Sequence, residues 1–379
     1  MQFKRTYFAA GVFCLLALIM SGTAAAQVVP PTEEDDVIRV DTELVDVPLQ
    51  VTDALGKPLM GLKAANFTVF EDGVRQEIEE FTASTAPMEV ALLLDTSGST
   101  RADLALIRRS AQYFINSLRP GDRVAIIAFR STVIDGAGVA EPEMIVSMTG
   151  NRSELADTLE RVGTSNGTPY YDGLIRMAEK IFAGEPAPEF RGRRALVALT
   201  DGVDSTSISG FDEAKELLGE AGIANYFISV DTRPFFEENL LGDCSTAIRF
   251  SQAQIRRYYG GFGAGSKVER TSDFCQLGDF ERLAISKRLY EIAAAEMEEL
   301  AKISGGRVFP AASLADARAA FRRVAEDIGT TYRLGYYSTN ETRDGKFRTI
   351  KIETKGLPAG TRVRAREGYT ARPAGARTQ

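Results

Sequence analysis

The sequence predicts an α/β protein: a doubly wound, mostly parallel sheet inserted between N- and C-terminal β segments that together form one β-sandwich. Three observations carry this. From Met88 to about Ile328, short apolar runs alternate with stretches of helical periodicity. Those runs are continuous rather than alternating, as in parallel strands covered on both faces. Outside this region the pattern becomes β-like, and each flank holds about three strands, marginal for a domain that stands alone.

The chain has 379 residues, 44% of them hydrophobic, with a formal net charge of −7. Its length allows two domains, and its composition is that of a globular protein. The acidic balance gives no sign of a nucleic-acid partner. Histidine is absent. That excludes Ser-His-Asp and Cys-His catalysis in their usual forms, and the imidazole ligands of most catalytic zinc sites. A bound metal would need oxygen ligands, which favours magnesium, calcium or manganese.

Residues 1–26 read as a signal peptide. Lys4 and Arg5 precede an apolar run from Tyr7 to Met20, and Ala24-Ala25-Ala26 supplies a cleavage site before Gln27. The run is short for a membrane anchor, and no later segment is long and apolar enough to span a bilayer. The expected product is exported, periplasmic or secreted, without a transmembrane segment. Residues 27–37, with Pro30-Pro31 and Glu33-Glu34-Asp35-Asp36, read as a solvated linker.

The N-terminal β segment covers 38–85. Val45, Val47, Leu49 and Val51 alternate with other residues, and Pro48, which cannot donate to a ladder, predicts an edge strand. "NFTVFEDGVRQEIEEF" predicts a hairpin turning at Asp72-Gly73. In the α/β region, 86–330, the runs "MEVALLLD", "DRVAIIAF", "RRALVALT" and "ANYFISVD" predict buried strands. Leu104, Ile107, Ala111, Phe114, Ile115 and Leu118 share one helical face. Further helices are predicted at "NRSELADTLERV", from Pro169 to about Ala183, and at "LYEIAAAEMEELAKISGG", which glycine closes. "RVF" is a short strand, and Leu314 to Ile328 mark a final amphipathic helix. The C-terminal β segment, 331–371, contains "TYRLGYYS", "FRTIKIET" and "TRVRAREGY", before a tail at 372–379.

Residues 232–285 interrupt the α/β alternation and are expected as an inserted loop. Export, and their place in one segment, predict a disulfide between Cys244 and Cys275; two buried free thiols are the alternative. The middle of the segment is basic, with Arg249, Arg256, Arg257, Lys267 and Arg270 against Glu269. It reads either as a solvated excursion or as a specificity loop beside the site described next.

"DTSGS" places Asp95, Ser97 and Ser99 on alternate positions where a buried strand gives way to a turn. In an open α/β sheet, ligands bind beyond the carboxyl ends of the strands. Thr168 in "NGTPYYDGL" and Asp201 in "LVALTDG" reach the same edge. Two carboxylates and three hydroxyls then meet there, an oxygen-rich set of the kind that magnesium accepts. Asp204, three residues on, reads as a turn or cap residue.

These three segments resemble the metal-ion-dependent adhesion site of von Willebrand factor A domains. The resemblance covers roughly residues 88–329. The flanks, "VDVPLQVTDALGKPLMGLKAANFTVFEDG" and "YRLGYY…REGY", resemble an exported subfamily, the VWFA-related Acidobacterial proteins. It implies that Ser97, Ser99 and Thr168 coordinate a divalent cation directly, Mg2+ before Mn2+ or Ca2+. Asp95 and Asp201 would act through bound water, and a protein partner would supply an acidic residue to the open position. The function expected is non-enzymatic: cation-dependent capture of a protein ligand. The alternatives are an envelope-complex scaffold with a structural metal, or a magnesium-dependent hydrolase or phosphotransferase with Asp95 as nucleophile.

Overall fold

The computed structural model describes residues 44–371, apart from 84, 135–136, 185 and 261–273. The expected signal peptide, linker, first residues of the N-terminal β segment and tail lie outside them. In chain order the N-terminal flank supplies β1 (Leu44–Thr52), β2 (Phe67–Glu71), β3 (Val74–Gln76) and β4 (Glu80–Thr82). The α/β region begins with β5 (Glu89–Leu94), α1 (Leu104–Ser117), β6 (Arg123–Ile134), β7 (Ala137–Thr149), α2 (Arg152–Arg161) and α3 (Tyr170–Arg176). It continues through β8 (Arg194–Thr200), α4 (Phe211–Ala221), β9 (Ala224–Val230), α5 (Arg233–Leu240), α6 (Gln252–Gly260) and α7 (Asp279–Ser304). It closes with β10 (Arg307–Ala311) and α8 (Ala317–Gly329). The C-terminal flank adds β11 (Tyr332–Tyr337), β12 (Phe347–Thr354), β13 (Arg362–Ala365) and β14 (Gly368–Thr370).

The central sheet has the order β10-β9-β8-β5-β6-β7. All neighbours are parallel except β6 and β7. The apolar run of β5 explains its central place. Val90, Leu92 and Leu94 pack under α1 and α8, where Phe114 meets Phe321. Ala91 and Leu93 face the other way, against Tyr170 and Leu174 of α3. Both faces are fully buried, so alternation carries no polar side.

The flanking strands build two four-stranded sheets, β13-β1-β11-β4 and β14-β12-β2-β3. Each mixes strands from both flanks. Val47, Leu49, Val69, Leu334 and Tyr336 share one core between the sheets. The β2–β3 hairpin turns at Asp72 (φ 47°) and Gly73 (φ 82°), the left-handed pair that a two-residue turn of this kind requires. The sandwich and the α/β layer belong to one compact unit. Arg364 of β13 ties them, donating to the Gly305 carbonyl at 2.8 Å and to Gln50 Oε1 at 2.8 Å.

Three expectations need correction, and one element was not foreseen. First, β1 is not an edge strand, because β11 and β13 flank it. Pro48 is tolerated because β13 pairs with β1 only from Leu49 onward. Second, β7 was not expected. It is a long edge strand whose Glu141, Pro142 and Glu143 suit an unpaired edge, and Glu143 pairs with Arg130 across the ladder at 2.8 Å.

Third, "TRVRAREGY" is two strands, β13 and β14, lying in different sheets. The chain changes sheet at the buried Arg366, which donates to the Gly368 and Asp46 carbonyls. Fourth, the described residues of 232–285 are not a loop. They hold α5, α6 and the first turns of α7 around their own core of Leu240, Phe250, Ile255, Phe274, Ile285 and Leu289. Arg282, buried within this insert, donates to the carbonyls of Leu240, Gly242 and Leu277 and lies over the Phe274 ring. Cys244 and Cys275 are joined by a disulfide, with Cα atoms 5.3 Å apart.

Candidate functional site

Asp95 follows β5 directly, and its N–H continues the ladder by donating to Leu199 O at 3.0 Å. Its carboxylate is then fixed from two sides. Oδ1 accepts from Ser97 N at 3.1 Å, and Oδ2 accepts from Thr200 Oγ1 at 2.7 Å. Ser97 opens a short 3-10 turn, Gly98–Asp103. Thr100 closes it by donating its hydroxyl to the Asp95 and Ser97 carbonyls. The intervening Thr96 points the other way, donating to Phe129 O at 2.8 Å. Its carbonyl accepts from Ser165 N at 2.8 Å, which draws in the loop leading to Thr168. The backbone of Ser99 lies in the turn; its side chain is outside the described set.

Thr168 precedes α3 and is pinned to the third segment in both directions. Its N–H donates to Ser205 Oγ at 2.8 Å, and its carbonyl accepts from Ser205 N at 3.0 Å. Asp201 follows β8. Its Oδ1 accepts from Val203 N at 2.9 Å, and its Oδ2 accepts from the Thr232 hydroxyl. Asp95, Ser97, Thr168 and Asp201 thus gather at the carboxyl edge of β5 and β8. Asp204 stands apart as a structural residue. Its Oδ2 accepts from Tyr170 N at 2.9 Å and from the Ser207 hydroxyl, holding the start of α3.

Residues 90–203 match the von Willebrand factor type A domain family. The match runs from β5 through Asp201 and so contains all three site segments. No curated protein matches the chain. Among solved structures, proximal thread matrix protein 1 from the mussel byssus is 12% identical with a TM-score of 0.40, over 76% of this chain and 51% of that one. A von Willebrand factor type A protein from Catenulispora acidiphila is 11% identical with a TM-score of 0.39, over 88% and 74%. The vWF domain of a type V pili tip protein from Porphyromonas gingivalis is 19% identical with a TM-score of 0.32, over 64% and 95%. The chain spans about half the length of the mussel protein.

Both carboxylates are buried: Asp95 is 1% and Asp201 8% exposed. Burial pushes the Asp95 carboxyl up, against hydrogen bonds from Ser97 and Thr200. Burial, and then the charge of Asp95, push Asp201 up to about 7. Among the described residues no lysine or arginine forms an ion pair with either. Two buried acids facing each other without a basic partner are an unfavourable arrangement. A bound cation would relieve it, so the donor set fits a hard metal ion. Among the described residues no group of three His, Cys, Asp or Glu side chains could hold a metal; hydroxyl oxygens would have to complete the set.

Several residues that shape this edge were not expected. Thr200 orients Asp95, and Thr232, whose hydroxyl lies 2.8 Å from that of Tyr290, orients Asp201. Tyr170 is fully buried near the same acids, and its hydroxyl has no partner among the described residues. The expected basic surface of the insert is only partly available. Arg249 donates to Cys244 O, and Arg257 is engaged by Glu296 and Tyr171. Lys267 and Arg270 lie outside the described residues, and Arg256 is exposed. Among the described residues no helix is long and apolar enough to cross a membrane.

Proposed function

We propose that this chain is an exported, non-enzymatic protein that holds a divalent cation at the Asp95–Asp201 edge and captures an acidic group of a protein partner. One observation carries the reading: two buried carboxylates share an edge with serine and threonine hydroxyls and have no basic partner among the described residues. Ser97, Ser99 and Thr168 would hold the ion directly, and Asp95 and Asp201 through water. The ion, Mg2+ in the first instance, supplies a positive centre that a partner's carboxylate can approach. The chain's own residues prepare the place. Thr200 and the Ser97 N–H orient Asp95, Ser205 fixes Thr168, and Val203 and Thr232 orient Asp201.

Titration calorimetry with Mg2+ and Mn2+ on the wild type and on Asp95→Ala tests the cation. Binding is expected in the wild type and lost in the variant; equal binding by both would sink the assignment. Pull-down from an envelope extract, with magnesium or with chelator, tests capture. A partner retained only with magnesium is expected, and one retained equally in chelator contradicts a cation-dependent mechanism.

A further inference from the structure

Besides the packing of Val203 on its apolar core, the helical insert makes polar contacts near the candidate cation edge in two places. The first lies at its stems. Thr232, buried just before α5, donates its hydroxyl to Asp201 Oδ2. That hydroxyl is 2.8 Å from the hydroxyl of Tyr290, on α7, where the insert returns to the fold. The second lies on the Thr168 side. Tyr171, in the first turn of α3, donates its hydroxyl to Glu296 Oε2 at 2.7 Å. Arg257 of α6 donates to the same tyrosine hydroxyl and to the other oxygen of Glu296, with its guanidinium 5.1 Å from the ring centre of Tyr171.

Neither contact is needed for the insert's own cohesion. Its apolar core, the Arg282 bonds and the disulfide already supply that. What the contacts do is connect a self-contained unit to the two later segments of the site. Asp201 is the more exposed to this control. The Val203 N–H and the Thr232 hydroxyl both donate to its carboxylate, and the hydroxyl belongs to the insert.

We propose that the insert governs the cation site, with Thr232 and Tyr290 as positioning residues that set the orientation of Asp201. This rests on the cation reading above. Partners that orient a metal-holding carboxylate typically change metal affinity by about 10–100-fold when removed. Linkage makes the coupling reciprocal: a ligand that grips the insert and moves Thr232 changes cation affinity by the factor with which the cation changes its own.

The full chain is compared with Thr232→Val, Thr232→Ser and Tyr290→Phe. In metal-free protein, amide exchange of residues 201–209 should quicken in the valine variant and return to the wild-type rate in the serine variant. In Mn2+ titrations followed by electron paramagnetic resonance, the valine variant should bind about tenfold or more weakly. The serine variant should match the wild type, and Tyr290→Phe should weaken binding in the same direction, which keeps the test alive if the valine variant does not fold. Unchanged exchange at 201–209, or an unchanged Mn2+ affinity in both Thr232→Val and Tyr290→Phe, overturns the proposal. A wild type that binds no Mn2+ overturns the cation reading instead, and the metal-free exchange then still decides whether the insert holds Asp201.

Discussion

Asp204 illustrates how one buried side chain ties local geometry to solution behaviour. It is 8% exposed, and burial pushes its carboxyl up to about 6 against bonds from Ser207 and Tyr170. The ordinary value is about 4, so the folded state holds the proton more tightly than the unfolded chain does. The resulting stability is fully present below about pH 4 and is lost as pH rises through 6. Asp204→Asn keeps an acceptor for Tyr170 N and does not ionise. Relative to the wild type it should therefore gain stability between pH 4 and 7, by at most about 3 kcal/mol. Urea unfolding in chelator across that range checks this; a difference independent of pH would refute it. Gly306 offers a steric counterpart. A Cβ there would sit 1.8 Å from Asn225 O, a backbone atom of the neighbouring strand that cannot yield cheaply. Gly306→Ala should cost roughly 2–4 kcal/mol, read as a lowered unfolding temperature, and an unaltered midpoint would contradict the close approach. The residues legible in the sequence were those whose place in the fold is written locally. Asp95 and Asp201 each end an apolar run, and Thr168 precedes a helix. Thr232 was not legible, because it meets Asp201 from 31 residues away, and Tyr290 lies a further 58 on. No local pattern records such a meeting.

Among the elements, the parallel strands were readable because burial on both faces leaves an unbroken apolar run, as in β5 and β8. β7 was not, since an edge strand is half exposed and carries Glu141, Pro142 and Glu143. The insert was misjudged for another reason. Its helices are short, and its apolar residues serve a small private core rather than one long periodic face. That core sets the expected effect of the disulfide, which joins residues 31 apart. In the chain-entropy model such a closure stabilises by about 3–4 kcal/mol. Because the insert packs around its own residues, most of the loss in a Cys244→Ser/Cys275→Ser variant should stay within it. Amide exchange should rise across 240–260 and 274–278 while the strands of the central sheet keep their protection. Equal loss of protection in β5 and β8 would show that the insert is not energetically separate. Mass spectrometry of the unreduced wild type should recover the 244–275 linkage.

For the molecule as a whole, what matters is that the sandwich is woven from both flanks. β1 has β11 on one side and β13 on the other, and β2 lies between β3 and β12. A fragment of residues 44–83 therefore lacks the neighbours of its longest strand and should show no cooperative unfolding transition by circular dichroism; a sharp transition would mean that this flank folds unaided. The flanks were legible as β-rich but not in their order, because strand pairing depends on partners that local alternation cannot specify. The same weaving sets a timetable for the newborn chain. Asp46 and its partner Arg333 are 287 residues apart. At synthesis rates of about 5–20 residues per second, β1 waits roughly a quarter of a minute to a minute for the strand beside it to be made. During that interval Val45, Val47, Leu49 and Val51, all buried in the finished protein, face solvent on a strand with open backbone edges, while the central sheet can already assemble. Residues 332–365, which hold β11 and β13, are the ones that end this exposure, so a ribosome that stalls before them would release a chain with a finished centre and an adhesive beginning.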